Sequence, residues 1–525
     1  QVTTILKKSY FNIFIILFIT IGFYLSVNTG ITHDEFHDFL VSESNKNLFL
    51  NKILGTNFDT SYVVEGNNKY YGSGFHYFSL IFELTLSKLG YFDKYSFEIK
   101  SILIKHVSVF FLFTISGLIF KKIIKLIVQD ENTAKLSTIL YLFYPYLIGH
   151  SFFNVKDIPF LSIWLICTYF IVRITINFYK KNKILLKHVI FISLFTAYLL
   201  SIRISGLLIF IEYLIFILSL TSLMKINFFR FILRFIKEIS ISISLIIIIF
   251  IFLQPSYWSE PFLIVDAIKF MSQHIQTVCT ITLGECMKAQ NLPTSYLFIW
   301  LFFKLPIFII LSLFLYIFIE KKIDKRPLFL IILGSLSFSV IAITLLLILL
   351  NVNLYDEIRQ VMFLLPLIFI ISLSFLRIFS KKIFNITCLF YIFFFLIQNV
   401  KIFPYNYIWV NNFSHITKVQ GVFELDYWGV STKNIAKFLN NKSIDKSPCI
   451  ITNRNNGIKP FVNKERCFIE FDKLHNNNIR PFYVVLMERG LRKGTPNNCD
   501  IIYEETRSLN FSNEKLFLAK VFRCN

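Results

Sequence analysis

The strongest constraint on this chain is a recurrence. Apolar runs of about 20 residues return along it, separated by short charged connections, and a helix of that length spans a hydrocarbon core of about 30 Å. The runs lie at 10–29, 98–120, 131–149, 158–179, 186–203, 204–223, 228–253, 294–320, 327–350, 359–379 and 383–401. Hydrophobic residues make up 55% of the chain, and mean hydropathy is +0.61. That is more apolar surface than the core of a soluble domain can hide. The expected fold class is a polytopic α-helical membrane protein with about eleven crossings.

A net charge of +22 would suggest nucleic acid in a soluble protein. Here the basic residues fall between the apolar runs: Lys7/Lys8, Lys121/Lys122/Lys125, Lys180/Lys181/Lys183, Arg230/Arg234/Lys237, Lys321/Lys322/Lys325/Arg326 and Arg377/Lys381/Lys382. They recur at alternate connections, as cytoplasmic loops do under the positive-inside rule. Membrane lipids, not nucleic acid, are the partner this pattern implies. It also places the N-terminus in the cytoplasm and everything after residue 401 outside.

Two divisions of the chain follow. Residues 1–401 form the transmembrane part, with a large outer loop over 30–97 whose 72–90 stretch reads as an interfacial helix. Residues 402–525 turn polar, with strand-like runs "CIIT" (449–452) and "FYVVLM" (482–487), and read as a small extracytoplasmic α/β or α+β domain. Cys279, Cys286, Cys449, Cys467, Cys499 and Cys524 lie on the outer side, where disulfides are permitted and their pairing stays open. Cys167 and Cys388 lie in spans as packing residues, and no CxxC motif occurs.

Chemistry concentrates at the outer ends of the runs. "THDEFHD" puts Asp34, Glu35 and Asp38 directly after the first span, where they can act as general base, divalent-cation ligand or solvated loop start. His33 and His37 stand four apart, but no third ligand completes a zinc site. "GHSFFNVKDIPF" gathers His150, Asn154, Lys156 and Asp157, a phosphate contact beside an acid or a salt-bridged cap. In "NLYDEIRQVMFLLP", Arg359 starts a span from outside, as a bidentate phosphate ligand or a snorkelling cation. Arg203 interrupts an apolar double span and calls for an anionic lipid or a carboxylate. Acids and cations thus share one face at headgroup depth. Such a set suits a reaction with a lipid-phosphate donor and an acceptor that must lose a proton.

In these residues the chain resembles the GT-C glycosyltransferases that use polyprenyl-phosphate sugars. More narrowly it is similar to bacterial glycosyltransferase family 39, relatives of the dolichyl-phosphate-mannose–protein mannosyltransferases. "THDEFHD", "GHSFFNVKDIPF", "QPSYWSEPF" (254–262), "NLPTSYLFIWLFFKLP" (291–306), "NLYDEIRQVMFLLP" and "FELDYWGVSTKNIAKFL" (423–439) carry the likeness over residues 30–440. Members often have Gly and His at the positions held here by Glu357 and Gln360.

The resemblance implies a GT-C-like fold in a bacterial inner membrane, with the C-terminal domain periplasmic. It implies a polyprenyl-phosphate sugar as donor, and a hydroxyl on a protein, glycan or lipid as acceptor. Asp34 then stands as catalytic base with Glu35 as its support, and Asp157 as a second catalytic acid. Lys156 and Arg359 become phosphate contacts; Arg203, His150 and Asn154, from the charge pattern of the outer ends, stand beside them as further substrate-binding residues. No cofactor is implied beyond the divalent cation that Asp34 and Glu35 leave open. The alternative is a transporter or flippase of lipid-linked or anionic solutes. The outer domain and the lack of paired half-chain repeats speak against it.

Overall fold

A computed structural model describes residues 2–524 apart from 274–276, 324–325, 417, 442, 447, 453–454, 464–465, 470–480, 493, 495 and 511. Lys325, one of the basic loop residues, therefore lies outside the described residues.

Every one of the apolar runs is helical, but their lengths differ from expectation. Among the described residues, seven helices are long and apolar enough to cross a membrane: Tyr10–Asn28, Phe97–Val128, Asp157–Lys181, Ile204–Leu223, Ile236–Leu253, Pro327–Leu349 and Lys381–Ile402. An eighth crossing would be a broken pair, Tyr296–Lys304 and Ile307–Phe314, bent by 110°. The break falls at Pro306, whose missing N–H interrupts the helical ladder. Pro145 likewise divides the 131–149 run into Glu131–Phe143 and Pro145–Ser151. Leu186–Ile202 and Leu365–Phe379 are shorter apolar helices, the latter preceded by a 3-10 turn over Arg359–Leu364.

Phe97–Val128 and Asp157–Lys181 are the central helices, each 78% buried over its most apolar stretch, whereas Ile236–Leu253 is 11% buried and faces outward. In lipid no hydrophobic force drives such helices together, so packing and hydrogen bonds hold them. Aromatic contacts do much of this: Phe18 and Phe152 flank Phe110, and Tyr141 stacks on Phe120 at 4.6 Å. At one end of the bundle the basic connections meet, with Asp130 paired to Arg377 at 2.9 Å and to Lys381 at 3.4 Å.

At the other end, residues 35–92 fold over the bundle as the helices Glu35–Leu54, Ser61–Val64 and Gly74–Leu86 with short 3-10 turns. The hairpin of β1 (Cys279–Thr282) and β2 (Glu285–Lys288) is closed by the Cys279–Cys286 disulfide. Residues 405–430 join the same large core as the spans, through Tyr405, Tyr407, Trp409, Phe423 and Trp428.

The remaining chain forms a mixed sheet of order β4-β3-β5-β7-β6. Its strands are β3 (Cys449–Thr452), β4 (Phe468–Ile469), β5 (Phe482–Met487), β6 (Cys499–Arg507) and β7 (Leu516–Cys524). β3 runs parallel to β4 and β5, while β7 pairs antiparallel with β5 and β6. Helix Thr432–Leu439 buries Ile435 and Leu439 against one face with Ile450, Val485 and Val521. Disulfides Cys449–Cys467 and Cys499–Cys524 tie the strands, leaving Cys167 and Cys388 as buried free thiols.

Candidate active site

Asp34 is the N-cap residue of helix Glu35–Leu54, yet its side chain caps nothing. The reason lies in its neighbours. Glu35 turns into the interior, where its carboxylate accepts the Thr32 backbone N–H at 2.6 Å and meets Nε2 of His106 on a central helix. Nδ1 of His106 donates to the Ser26 carbonyl at 3.0 Å, so the first span, the loop and the central helix are strapped together. From the other side the loop is covered by residues 428–432. The His33 N–H donates to the Trp428 carbonyl at 3.2 Å, and the Thr432 hydroxyl donates to the Ile31 carbonyl at 3.0 Å. Gly30 is required by this approach, because a Cβ there would stand 2.2 Å from the Val430 carbonyl oxygen.

Held in this way, Asp34 lines a cavity of about 1160 Å³ together with Asp38, Lys156, Asp157, Arg203 and Arg359. Among the described residues its carboxylate makes no hydrogen bond and no ion pair. Asp38, one turn further, is different. Burial opposes its ionisation, but the Lys156 ammonium at 2.7 Å and His37 hold it well below the usual carboxylate range. Burial likewise opposes the Lys156 charge, and Asp38 and Asp34 together keep it protonated to above the usual lysine range. His76 also lines the cavity; burial, with Lys105 beside it, pushes it down to about 3, so it is neutral near pH 7.

Asp157 opens its helix as a carboxylate shared by two arginines. Arg203, at the break between Leu186–Ile202 and Ile204–Leu208, pairs with Oδ1, and Arg359 lies 3.5 Å from Oδ2. Asn154 fixes this helix start: its Oδ1 accepts the Asp157 N–H at 2.9 Å and its Nδ2 donates to Asp157 Oδ2 at 2.9 Å. His150 supports Asn154 from behind at 3.0 Å, buried among Tyr146, Phe153 and Tyr407.

Arg359 is 6% exposed, and its guanidinium lies between the rings of Tyr355 and Trp428, 4.7 Å from each centroid. Asp356 pairs with it at 3.2 Å, and the Arg359 Nε–H has no acceptor among the described residues. The turn that delivers it is strained, for Asp356 and Glu357 have φ of +56° and +66°. Four contacts hold that turn. The Asp356 N–H donates to Thr280 Oγ1 at 2.9 Å, and the Tyr296 hydroxyl donates to the Glu357 carbonyl at 3.2 Å. Glu357 pairs with Lys304 at 2.8 Å, both fully buried, and Arg489 pairs with Asp356. Burial pushes Glu357 up to about 8, with Lys304 pulling the other way.

The expected residues thus divide. Asp34, Lys156, Asp157, Arg203 and Arg359 meet at one cavity, while Glu35, His150 and Asn154 do not line it and act on it through others. Glu35 was expected beside Asp34 as catalytic partner or cation ligand. Its bond to His106 turns it away, so the two carboxylates do not converge. Among the described residues no group of three or more His, Cys, Asp or Glu side chains is arranged to hold a metal ion. Sequence reasoning missed the Asp38–Lys156 pair, Trp428 over Arg359, and the Lys304–Glu357 and Arg489–Asp356 pairs. Only Lys304 and His106 left a sequence signal, as ionisable residues inside apolar runs.

No protein-family model matches the chain, and no curated protein matches it. Among solved structures it is similar to ArnT from Cupriavidus metallidurans in the apo state, with TM-score 0.49 and 9% identity over 98% of each chain. It is also similar to ArnT from the same organism bound to undecaprenyl phosphate, with TM-score 0.47 and 10% identity over 97% of each chain. Likeness of that degree leaves the chemistry to be read from the cavity's own side chains.

Proposed function

We propose that the chain is a membrane glycosyltransferase of GT-C type, similar to family 39. It transfers a sugar from a polyprenyl phosphate to a hydroxyl acceptor on the outer face of a bacterial inner membrane. One observation carries this reading: an unpaired carboxylate, Asp34, shares a cavity with the cations Lys156, Arg203 and Arg359. A phosphate anion suits the cations, and the orphaned Arg359 Nε–H would gain an acceptor by a small shift toward it. Leu207, Leu208, Leu347 and Leu350 line the same cavity and suit an isoprenoid chain.

In the reaction, the acceptor hydroxyl gives its proton to Asp34 as its oxygen bonds to the anomeric carbon. The bond from that carbon to the phosphate oxygen breaks, and its electron pair leaves with the polyprenyl phosphate. Attack opposite the leaving group inverts the anomeric centre. Charge grows on the phosphate, and cations already fixed by Asp38, Asp157 and Asp356 stabilise it without reorganising. The family 39 assignment and the cytoplasmic N-terminus rest on the motif order and the positive-inside pattern.

The test is Asp34→Asn, assayed for transfer from a panel of polyprenyl-phosphate sugars in purified protein. Loss of general-base catalysis should lower the rate about 10²- to 10⁴-fold. The thermal midpoint should move little, since the Asp34 carboxylate makes no hydrogen bond among the described residues. Full activity in this variant would remove Asp34 as the base.

A further inference from the structure

We propose that Arg489, from the C-terminal sheet domain, is a positioning residue of this cavity, setting the Arg359 guanidinium through Asp356. The inference rests on the reading of Arg359 as the contact to the donor phosphate.

Arg489 lies in the helical turn Glu488–Leu491 that follows β5. Its NH2 pairs with Asp356 Oδ1, while NH2 of Arg359 takes the other oxygen at 3.2 Å. One carboxylate therefore sits between two guanidiniums, one from each part of the molecule. Nε of Arg489 reaches Glu424 at 3.1 Å, and its guanidinium lies 5.9 Å from the Tyr427 ring centroid. Glu424 is itself fixed, accepting the Ile281 N–H at 2.8 Å from the hairpin and pairing with Arg492 at 2.6 Å. Arg489 is thus bidentate between an immobile anchor and the strained Asp356–Glu357 turn.

The charges alternate in one line: Arg489, Asp356, Arg359, Asp157, Arg203. Deleting the first frees an oxygen of Asp356, which is 6% exposed. A buried carboxylate that loses one cation turns toward the next, here Arg359. Asp356 then closes on Arg359 with both oxygens and competes with any anion for its donors. The left-handed backbone at Asp356 and Glu357 gives that turn a strain to release. Arg489 contributes nothing to the apolar core of its own domain, which is formed by Ile435, Ile450, Tyr483, Val485 and Val521. Its loss should therefore alter the cavity without unfolding the sheet.

The experiment measures hydrogen exchange at residues 354–360 in full-length detergent-solubilised protein, together with affinity for undecaprenyl phosphate. Arg489→Ala should speed exchange at these amides about tenfold and weaken binding by a similar factor, while amides of the β3–β7 sheet keep their wild-type exchange. Arg489→Lys should recover part of both, since an ammonium can pair with Asp356 but cannot also hold Glu424 in the same geometry. In an Asp356→Asn background, Arg489→Ala should add less than about twofold, because the carboxylate through which it acts is gone. Wild-type exchange in Arg489→Ala, or its full effect in the Asp356→Asn background, would overturn the proposal. If the wild-type protein binds no polyprenyl phosphate, the donor reading falls, and the exchange data still decide Arg489.

Discussion

Two loops bring the cavity its principal groups, 30–38 from the first span and 353–360 ahead of a late helix. Both use one device: a functional residue stands next to a carboxylate buried in the protein. Beside Asp34, Glu35 is bound to His106; beside Asp356, Glu357 is bound to Lys304. They differ in what the anchor leaves behind. The first loop ends in ordinary helical backbone and presents a carboxylate with no hydrogen-bond partner among the described residues. The second passes through two left-handed residues and presents an arginine between two aromatic rings and two carboxylates. On the function proposed above, the base has to be free and the anion contact has to be fixed. The same anchoring principle serves both because the strain and the pairing fall on different residues.

The largest effect should come from breaking the deeper anchor. At pH 9, above the value near 8 to which burial pushes Glu357, Lys304→Met strands a charge in a fully buried site and should cost about 3–5 kcal/mol. Lys304→Met with Glu357→Gln should regain most of that in a thermal melt, because no charge is left unpaired. Equal melting of the single and double variants would show that the pair is not the anchor.

The shallower anchor should cost less. Glu35→Ala leaves the Thr32 N–H and His106 without their acceptor, about 1–3 kcal/mol together. It should also slow transfer, by letting Asp34 leave its place. A drop in melting with no change in rate would separate the two roles.

The smallest effect depends on pH. The lowered pKa of Asp38 means that its pair with Lys156 stabilises the protein above the unfolded carboxylate value of about 4 and loses that contribution as pH falls below it. In Lys156→Met, burial dominates and raises Asp38 instead, so the variant is weakened at pH 7 and recovers as Asp38 protonates. The gap in melting temperature between wild type and variant should therefore close from pH 7.5 to 4.5. A constant gap would show that Asp38 is not ionised in the folded protein.

The sequence allowed a good deal of this to be read. Apolar runs, alternating basic connections and the polar tail carried the helical bundle and the sheet domain, because bilayer thickness and backbone satisfaction leave few alternatives. Lys156, Asp157, Arg203 and Arg359 could be singled out because charge is costly at an apolar boundary. Their partners could not. Trp428, Asp356 and Arg489 sit in polar stretches where charge and aromatic residues are ordinary, and only long-range packing brings them to the cavity. Spacing carries no trace of a contact such as Arg489 with Asp356, 133 residues apart. The breaks at Pro145 and Pro306 were visible as prolines, but the 110° bend at the second follows from packing.

The bond from Thr432 to the Ile31 carbonyl joins residues 401 positions apart. The acidic loop is therefore not complete in itself, because its cover comes from a distant part of the chain. Without Thr432 the Ile31 carbonyl would lose its donor, and without the 428–432 segment the hollow at Gly30 would lose its cover. A substitution at Gly30 or Thr432, neither of which carries a charge, would thus displace Asp34 as surely as one beside it.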